Sequence, residues 1–157
     1  MTVAWAGLCC SRPPCLAISL RKETLTHANI LKRKAFTANI PSETLVAKAD
    51  YCGLASGTTT DKFHAANLTP VQSAMVEAPL VAEFPMALEC RVNHVIEIGS
   101  HTQFIGEIVN VQVEDSVLNN GQTDLTRLKP VIFAPETQAY YGLGRYLGQA
   151  FSIGATL

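Results

Sequence analysis

The chain has 157 residues, of which 48% are apolar and 16% charged, and its formal net charge is −1. This length predicts one folded domain over 1–157. A near-neutral charge excludes general binding to nucleic-acid backbones, which needs a basic surplus. Five cysteines without CxxC spacing indicate reduced thiols and no metal site. No apolar run approaches the roughly 18 residues of a membrane span, so a cytoplasmic protein is expected.

A buried strand is predicted near the N-terminus, after an apolar opening stretch that is itself strand-like. Pro13 and Pro14 predict a turn, because proline cannot donate a ladder hydrogen bond. The apolar run 15–20 that follows is typical of a strand buried on both faces. A helix is predicted next, with Thr24 as its N-cap and three cations, 32–34, at its C-terminal end. The residues expected on its apolar face are Leu25, Ala28 and either Ile30 or Leu31.

The middle of the chain is predicted to alternate between strands and short helices. Residues 35–40 alternate in polarity and predict a strand, and Ser42 is expected to cap a helix that reaches about Tyr51. A loop rich in small residues, 53–60, precedes another short helix. Three prolines between residues 70 and 87 exclude a long helix there.

Two long strands are the clearest pattern in the sequence. Residues 88–98 and 101–115 alternate in polarity, and Gly99-Ser100 between them predicts a tight hairpin. Even-numbered positions form the apolar face of the first strand, with Glu89 on its polar face, and odd-numbered positions form the apolar face of the second. Asn119-Asn120-Gly121 predicts a further turn. The whole pattern predicts a barrel-like, mainly β fold with short helical inserts.

The best local candidate for a binding site is the junction where the buried strand ends and the helix begins. A helix N-terminus has unpaired N–H groups that suit a phosphate, and Arg21 and Lys22 add charged donors. The same residues are also typical of a solvated strand end followed by an ordinary Thr cap. The pattern leaves both interpretations open.

Other candidate residues carry weaker signals. The hydroxyl-rich loop 56–63 is typical of a loop that ends in an Asp N-cap, and a lone histidine such as His94 or His101 is more often structural than catalytic. The Cys9-Cys10 pair indicates apolar packing more than redox chemistry. The motifs GxGxxG, GxxxxGK[ST], GxSxG and HExxH are absent from the sequence. A Rossmann dehydrogenase or a common hydrolase would therefore lack its usual signature.

The order of several short motifs resembles the flavoredoxin branch of the flavin reductase-like family. The motifs are MTVAWAG, CC, PP, AISLRK, F–NIPS, DYCGLASG, DKF, LECRV, IEIGSHTQFIGEI and YYGLG. The resemblance implies an FMN-binding split β-barrel of the Greek-key type, which is typically a homodimer with FMN near the subunit interface. Family members usually carry a further strand before the MTVAW segment. The resemblance therefore also implies that this chain lacks the family's first strand.

The same resemblance implies a set of site residues. Those expected to line the isoalloxazine ring are Thr2, Val3, Ala4, Trp5, Cys9, Cys10 and Ser11. Those expected to hold the phosphate are Arg21, Lys22, Thr24 and Thr26. Those expected on the loop facing the flavin are Ser56, Gly57, Asp61, Lys62 and Phe63. His101 matches a position near the redox centre and is a candidate catalytic residue without an assigned role.

The implied chemistry is hydride or electron transfer at flavin N5, for which the cofactor supplies the reactivity. NAD(P)H or another redox protein would be the electron partner, with neither nucleic acid nor membrane involved. The first interpretation is therefore a flavin-dependent oxidoreductase or electron carrier. The second is a non-catalytic or truncated split-barrel protein that binds flavin weakly or not at all.

Overall fold

The structure, a computed structural model, describes residues 1–155 and is mainly β. Within that range the strands are β1 (Trp5–Ser11), β2 (Pro14–Arg21), β3 (Ala35–Ile40), β4 (Pro70–Gln72), β5 (Pro79–Val81), β6 (Met86–Ile98), β7 (His101–Val113), β8 (Leu118–Asn119), β9 (Gln122–Thr123), β10 (Val131–Ala134) and β11 (Ala139–Gly142). The helices are α1 (Leu25–Arg33), α2 (Val46–Leu54), α3 (Lys62–Ala65) and α4 (Leu125–Leu128). The predicted strands and short helices are thus present in the predicted order.

The main sheet has five antiparallel strands in the order β1–β2–β7–β6–β3. Strands β3, β6 and β7 follow one another across the sheet, and β7 returns to lie beside β2, far earlier in the chain. This order is that of a Greek key, as predicted. The other strands form the two-stranded ribbons β4–β5, β8–β9 and β10–β11.

The predicted turns are confirmed by backbone geometry. Gly99 adopts φ +50° in the hairpin that joins β6 to β7, a left-handed conformation that glycine accepts without steric cost. Asn120 and Gly121, with φ +50° and +75°, join β8 to β9 in the same way. Both turns follow from local residue chemistry, which is why the sequence predicts them correctly.

Helix α1 begins where predicted, but its buried face matches the predicted one only at Ile30. Thr24 is its N-cap, and the Thr24 side chain accepts a hydrogen bond from the His27 N–H. The buried residues of the helix are His27 and Ile30, whereas Leu25 and Leu31 are 42% and 36% exposed. Of the two alternatives Ile30 and Leu31, Ile30 is the buried one, whereas Leu25 and Ala28 were wrongly predicted on the buried face. The helix packs on the sheet through His27 and Ile30, which are three residues apart and therefore lie on the same face of the helix.

The predicted cap at Ser42 was also wrong. Ser42 precedes a 3₁₀ turn, Glu43–Leu45, without a side-chain cap, and α2 starts only at Val46. The Ser42 hydroxyl instead lies 2.9 Å from the Thr44 hydroxyl, and the Ser42 backbone forms a β-bridge with Pro130. A long-range backbone contact thus holds this residue outside the helix.

The core lies between one face of the main sheet and helix α1. Its fully packed cluster consists of Leu16, Ile18, Leu20, Ile30, Phe36, Cys90 and Phe104. A second cluster joins α2, α3 and the β4–β5 ribbon through Cys52, Ala66, Leu68 and Val81. The helical inserts therefore pack in a core cluster of their own, and this cluster supports the loops that connect them.

The facing of β6 and β7 differs from the predicted alternation. In β6 the even-numbered residues Leu88, Cys90 and Val92 pack in the main core, as predicted. Glu89, expected on a polar face, is nevertheless fully buried, and the strand beyond Val92 is exposed. In β7 the fully buried side chains are Thr102 and Phe104, on the even-numbered face. The predicted odd-numbered apolar face of β7 was therefore wrong. The strand pairing places one extra residue in each strand, Asn93 in β6 and Val109 in β7, so alternation does not run unbroken along either strand.

Candidate functional site

An open groove of about 310 Å³ lies over β1, β2 and β7, and we call it the outer groove. Its lining residues are Trp5, Ala6, Gly7, Leu8, Cys9, Ala17, Ser19 and Gln103. In β2 the residues Leu16, Ile18 and Leu20 are buried in the core, so Ala17 and Ser19 between them face the groove. The prediction of a strand buried on both faces was therefore wrong. The small side chains instead give the groove a flat floor.

Arg21 and His101 extend this surface at one end of the outer groove. They pair with each other across β2 and β7, two residues beyond the pair Ser19–Gln103. Because strand side chains alternate, all four lie on the same face of the sheet. The Ser100 hydroxyl lies 3.0 Å from His101 Nδ1. A cation and an imidazole thus border the groove next to the start of α1.

The start of α1 offers backbone N–H groups beside two exposed cations. The first intrahelical bond of α1 is donated by Ala28 to the Thr24 carbonyl, so the N–H groups of Leu25 and Thr26 have no helical acceptor. The Thr24 hydroxyl already donates to the Arg21 carbonyl at 3.0 Å. Arg21, Lys22 and the helix N–H groups are consequently the better suited donors for a phosphate, and Thr24 mainly shapes the turn.

A hydrogen-bond chain below this junction was not predicted. Lys22 forms an ion pair with Glu97, and Thr102 donates to Glu97 Oε1 at 3.0 Å. The Thr102 hydroxyl oxygen lies 2.8 Å from His27 Nε2, which acts as the donor because the hydroxyl proton points to Glu97. Hydrogen bonds from Lys22 and Thr102 lower the pKa of the Glu97 carboxyl. The one hint in the sequence was that His27 lies three residues before the apolar Ile30, a spacing that puts both side chains on the same face of the helix.

The loop before α3 lies against the same helix start. A Cβ added at Gly57 would be 3.3 Å from Leu25 Cδ2, a tight contact, so the loop packs closely against the start of α1. Lys62 is 7% exposed, and its ammonium donates to the carbonyls of Cys52 at 2.7 Å and of Met1 at 2.9 Å. Burial lowers the pKa of Lys62. Lys62 therefore ties the N-terminal segment to α2.

The remaining loop residues have local partners. The Ser56 and Thr58 hydroxyls lie 2.8 Å apart. Asp61 caps α3 by accepting from the N–H groups of Phe63 at 3.1 Å and His64 at 3.3 Å, as the interpretation as an Asp N-cap predicted. Phe63 packs against the second core cluster. Direct contact of these residues with a flavin stays a prediction.

The N-terminal segment packs beside the groove. Val3 lies on Gly53 of α2, where an added Cβ would be 3.1 Å from Val3 Cγ2, and Ala4 packs against the main core. Trp5 is 52% exposed and lines the outer groove. The Trp5 ring centroid is 6.0 Å from that of Phe133, so the β10–β11 ribbon supports the groove wall.

The predicted site residues therefore fall into three groups. Those on the outer surface are Trp5, Cys9, Arg21 and His101. Those around the start of α1 are Lys22, Thr24, Thr26, Ser56 and Gly57. Those elsewhere are Thr2, Val3, Ala4, Cys10, Ser11, Asp61, Lys62 and Phe63. The groove residues that the sequence did not predict are Ala6, Gly7, Leu8, Ala17, Ser19 and Gln103.

Residues 1–155 contain neither a cluster of metal-ligating side chains nor a membrane-spanning helix. No group of three or more His, Cys, Asp or Glu side chains in that range is placed to hold a metal ion. No helix in that part of the chain is long and apolar enough to cross a membrane.

Comparison with known proteins identifies the class of fold and then the family. The fold is that of the flavin reductase-like split barrels, as predicted. The family model described as "Flavin reductase like domain" matches residues 1–140, and the chain belongs to this family.

Two solved structures are particularly similar. Flavoredoxin of Desulfovibrio vulgaris (Miyazaki F) is 52% identical with a TM-score of 0.91, covering 96% of this chain and 81% of that one. Flavoredoxin from Methanosarcina acetivorans is 30% identical with a TM-score of 0.90, covering 97% and 81%. An uncharacterised protein of Archaeoglobus fulgidus is 31% identical over 80% of this chain and 70% of its own length. This chain spans 52% and 64% of two further curated relatives.

Proposed function

We propose that residues 1–157 form one flavoprotein domain that binds FMN and passes electrons or hydride through it. The observation that carries the proposal is the continuity of the outer groove with the cationic start of α1. A flat floor of small residues, Gly7, Ala17 and Ser19, leads directly to Arg21 and the helix N–H groups. This elongated surface suits a planar ring system that carries a phosphate at the end of a chain. Membership of the flavin reductase like domain family supports a flavin as that ligand.

The residues of the chain divide into two roles in this proposal. Trp5 and Cys9 would border the ring, and Arg21, Lys22 and the N–H groups of Leu25 and Thr26 would hold the phosphate. Bound FMN would supply the redox chemistry, so no side chain needs to act as a nucleophile. His101 pairs with Arg21 at the end of the groove proposed for the phosphate, so on this geometry it would lie near the phosphate and not near the ring. Its predicted place near the redox centre stays a prediction. The other predicted lining residues, Thr2 to Ala4, Cys10 and Ser11, would contribute backbone or edge contacts.

The open side of the groove suits an external electron partner. Among residues 1–155, no atom lies within 4 Å of a Cβ added at Gly7, so the groove is open at that position. A nicotinamide ring of NAD(P)H, or the surface of another redox protein, could approach a ligand in this groove without a Rossmann domain. We propose FMN and not FAD, because the phosphate site is compact and the sequence has no diphosphate-binding fingerprint. The cytoplasmic location stays a prediction.

Identification of the bound flavin tests this function. The purified full-length chain should be yellow or turn yellow after reconstitution with FMN, and heat should release FMN as the dominant flavin on chromatography. FAD as the dominant species would overturn the choice of cofactor. A colourless protein whose fluorescence titration with FMN shows no binding would instead support the non-catalytic alternative. Reduction of the bound flavin by NADH, NADPH or a reduced redox protein would then identify the electron donor.

A further inference from the structure

Three cysteine side chains meet near the turn of the β1–β2 hairpin. Cys10 pairs directly with Cys15, and a register shift between Leu8 and Cys10 leaves Cys9 as the extra residue of a bulge. A bulge places two residues of one strand opposite a single residue of the other. The Cys9 thiol donates to the Cys15 carbonyl at 3.6 Å, so it also points to this position. Two consecutive cysteines thus oppose a third.

The strand pairing gives Cys10 and Cys15 the spacing of a disulfide. Directly opposed residues in an antiparallel pair have Cα atoms about 4.5 to 5.5 Å apart. Disulfides join residues whose Cα atoms are roughly 4.4 to 6.8 Å apart. A bond between these two sulfurs therefore needs side-chain rotation and no displacement of either strand.

The two thiols differ in accessibility in a way that suits stepwise oxidation. Cys10 is exposed and Cys15 is 6% exposed, and both are free thiols. Burial raises the pKa of the Cys15 thiol, and its neighbours Cys10 and Cys9 raise it further. An oxidant from solvent consequently reaches Cys10 first, with Cys15 placed behind it to resolve the product. Cys52 and Cys90 are buried elsewhere.

We propose that Cys10 and Cys15 are a peroxide-oxidised thiol pair that closes into a cross-strand disulfide. The Cys10 thiolate attacks hydrogen peroxide, which forms an S–O bond, breaks the O–O bond and releases hydroxide. The Cys15 thiolate then attacks the Cys10 sulfur, which forms the S–S bond and releases the oxygen as a second hydroxide. Overall two thiols are oxidised and the peroxide is reduced to two waters. A thiol reductant reverses the bond by exchange.

The consequence is a covalent link between an edge strand and its neighbour beside the outer groove. Cys9 lines that groove, and its bulge position is fixed by the same pair of strands that the disulfide would join. This inference is independent of flavin binding, because it concerns only the protein thiols and peroxide. The experiment that tests it therefore measures the oxidation state of the cysteines and not redox activity.

Mass spectrometry of the full-length chain tests the pair. The protein is treated with a small molar excess of hydrogen peroxide. It is then unfolded in urea that contains N-ethylmaleimide, so that buried free thiols are also blocked, and digested with trypsin. Cys9, Cys10 and Cys15 stay in one peptide, 1–21, because trypsin does not cleave before Pro13. We expect this peptide to lose two hydrogens and to carry one maleimide instead of three. Cys52 and Cys90 should stay fully blocked by maleimide.

Single substitutions decide which two sulfurs are joined. Cys9→Ser should leave the disulfide intact and remove the remaining maleimide, whereas Cys10→Ser should abolish the disulfide. Both positions are exposed, so neither substitution disturbs the core. A disulfide that persists in Cys10→Ser, or one that is lost in Cys9→Ser, would assign the bond to Cys9 and overturn the proposal. Three maleimides on the peptide after peroxide treatment, or only sulfinic and sulfonic acids, would also overturn it.

Discussion

The imidazole of His27 and the hydroxyl of Thr102 form a buried hydrogen bond of 2.8 Å between helix α1 and strand β7. Thr102 is fully buried and His27 is 8% exposed, so neither group has ready access to water as a replacement partner. The bond joins residues 75 positions apart in the chain. It therefore fixes the start of α1, and with it the proposed phosphate site, on the main sheet.

The first prediction concerns this bond. Thr102→Val keeps the shape of the side chain but removes the hydroxyl, which leaves the His27 N–H unpaired in the core. We expect the free energy of unfolding to fall by about 1–3 kcal/mol, measured by urea denaturation. A double-mutant cycle with His27→Ala should give a coupling of about 1 kcal/mol. A valine variant as stable as the parent would contradict the prediction.

The second prediction concerns the proposed phosphate site. Replacing both Arg21 and Lys22 with alanine should weaken FMN at least ~100-fold, because two charge-assisted hydrogen bonds are lost. Riboflavin has no phosphate and should bind nearly as before. The FMN effect should shrink as salt rises, since both cations are exposed. Fluorescence quenching by each flavin at two salt concentrations measures all of this.

The control for the second prediction removes two positive charges at the C-terminal end of α1, whereas Arg21 and Lys22 lie just before its N-terminus. Lys32→Ala with Arg33→Ala changes the net charge equally but lies at the C-terminus of α1. This control should leave the affinity for both flavins unchanged. Equal weakening of FMN and riboflavin in the Arg21 and Lys22 variant would indicate a damaged fold, and no weakening would refute a phosphate site there.

The third prediction concerns acid stability and Glu89. This fully buried carboxylate accepts from Asn110 at 2.9 Å, Gln112 at 2.7 Å and the Met75 N–H at 2.7 Å. Burial by itself raises the pKa of Glu89, but these hydrogen bonds outweigh it and hold the pKa below its ordinary value. The folded state thus binds fewer protons than the unfolded state. The stabilisation that ionised Glu89 gives the folded state is therefore complete above the unfolded pKa of about 4.3. It is lost as the pH falls through the lower pKa of the folded state.

Glu89→Gln should therefore cost about 2–4 kcal/mol of unfolding free energy at pH 7 and much less in acid. Urea unfolding at pH 7 and near pH 3 measures this difference. Glu23→Gln is the matched control, because Glu23 is exposed beside α1, and it should change little at either pH. The same loss for Glu89→Gln at both pH values would show that the charge is not the cause.

The fourth prediction is a homodimer. The end of β6 exposes Val95, Ile96 and Ile98 at 39%, 43% and 52%, and Tyr146 and Leu147 are each 74% exposed. Exposed apolar side chains on these two segments suit burial against a second copy of the chain. Light scattering at micromolar concentration should give twice the chain mass of 16.9 kDa. A monomer mass would refute the dimer.

A substitution locates the predicted dimer contact. Ile96→Asp should shift the mass towards the monomer, because it would place a charge in an apolar interface. The matched control is Leu54→Asp, because Leu54 lies on α2 and is 78% exposed. This variant should stay dimeric. The opposite pattern would move the interface to the helical side of the molecule.

Sequence alone determined the features that depend on neighbouring residues. Thr24 and Asp61 are helix caps because a side-chain oxygen reaches N–H groups two or three positions later. Gly99, Asn120 and Gly121 form turns because they accept positive φ. The order of strands and short helices, and the family to which the motif order points, follow from the same local patterns.

Tertiary structure alone decided which faces are buried and which residues meet. Glu89 is buried among donors from distant parts of the chain, Asn110, Gln112 and the Met75 N–H. The bulge in β1 sets two cysteines against Cys15, although nothing local marks either position. Ala17 and Ser19 become the floor of a groove only because β1 and β7 flank β2. These outcomes depend on pairing between residues far apart in the chain. A shift of one residue in that pairing turns a side chain to the opposite face of the sheet.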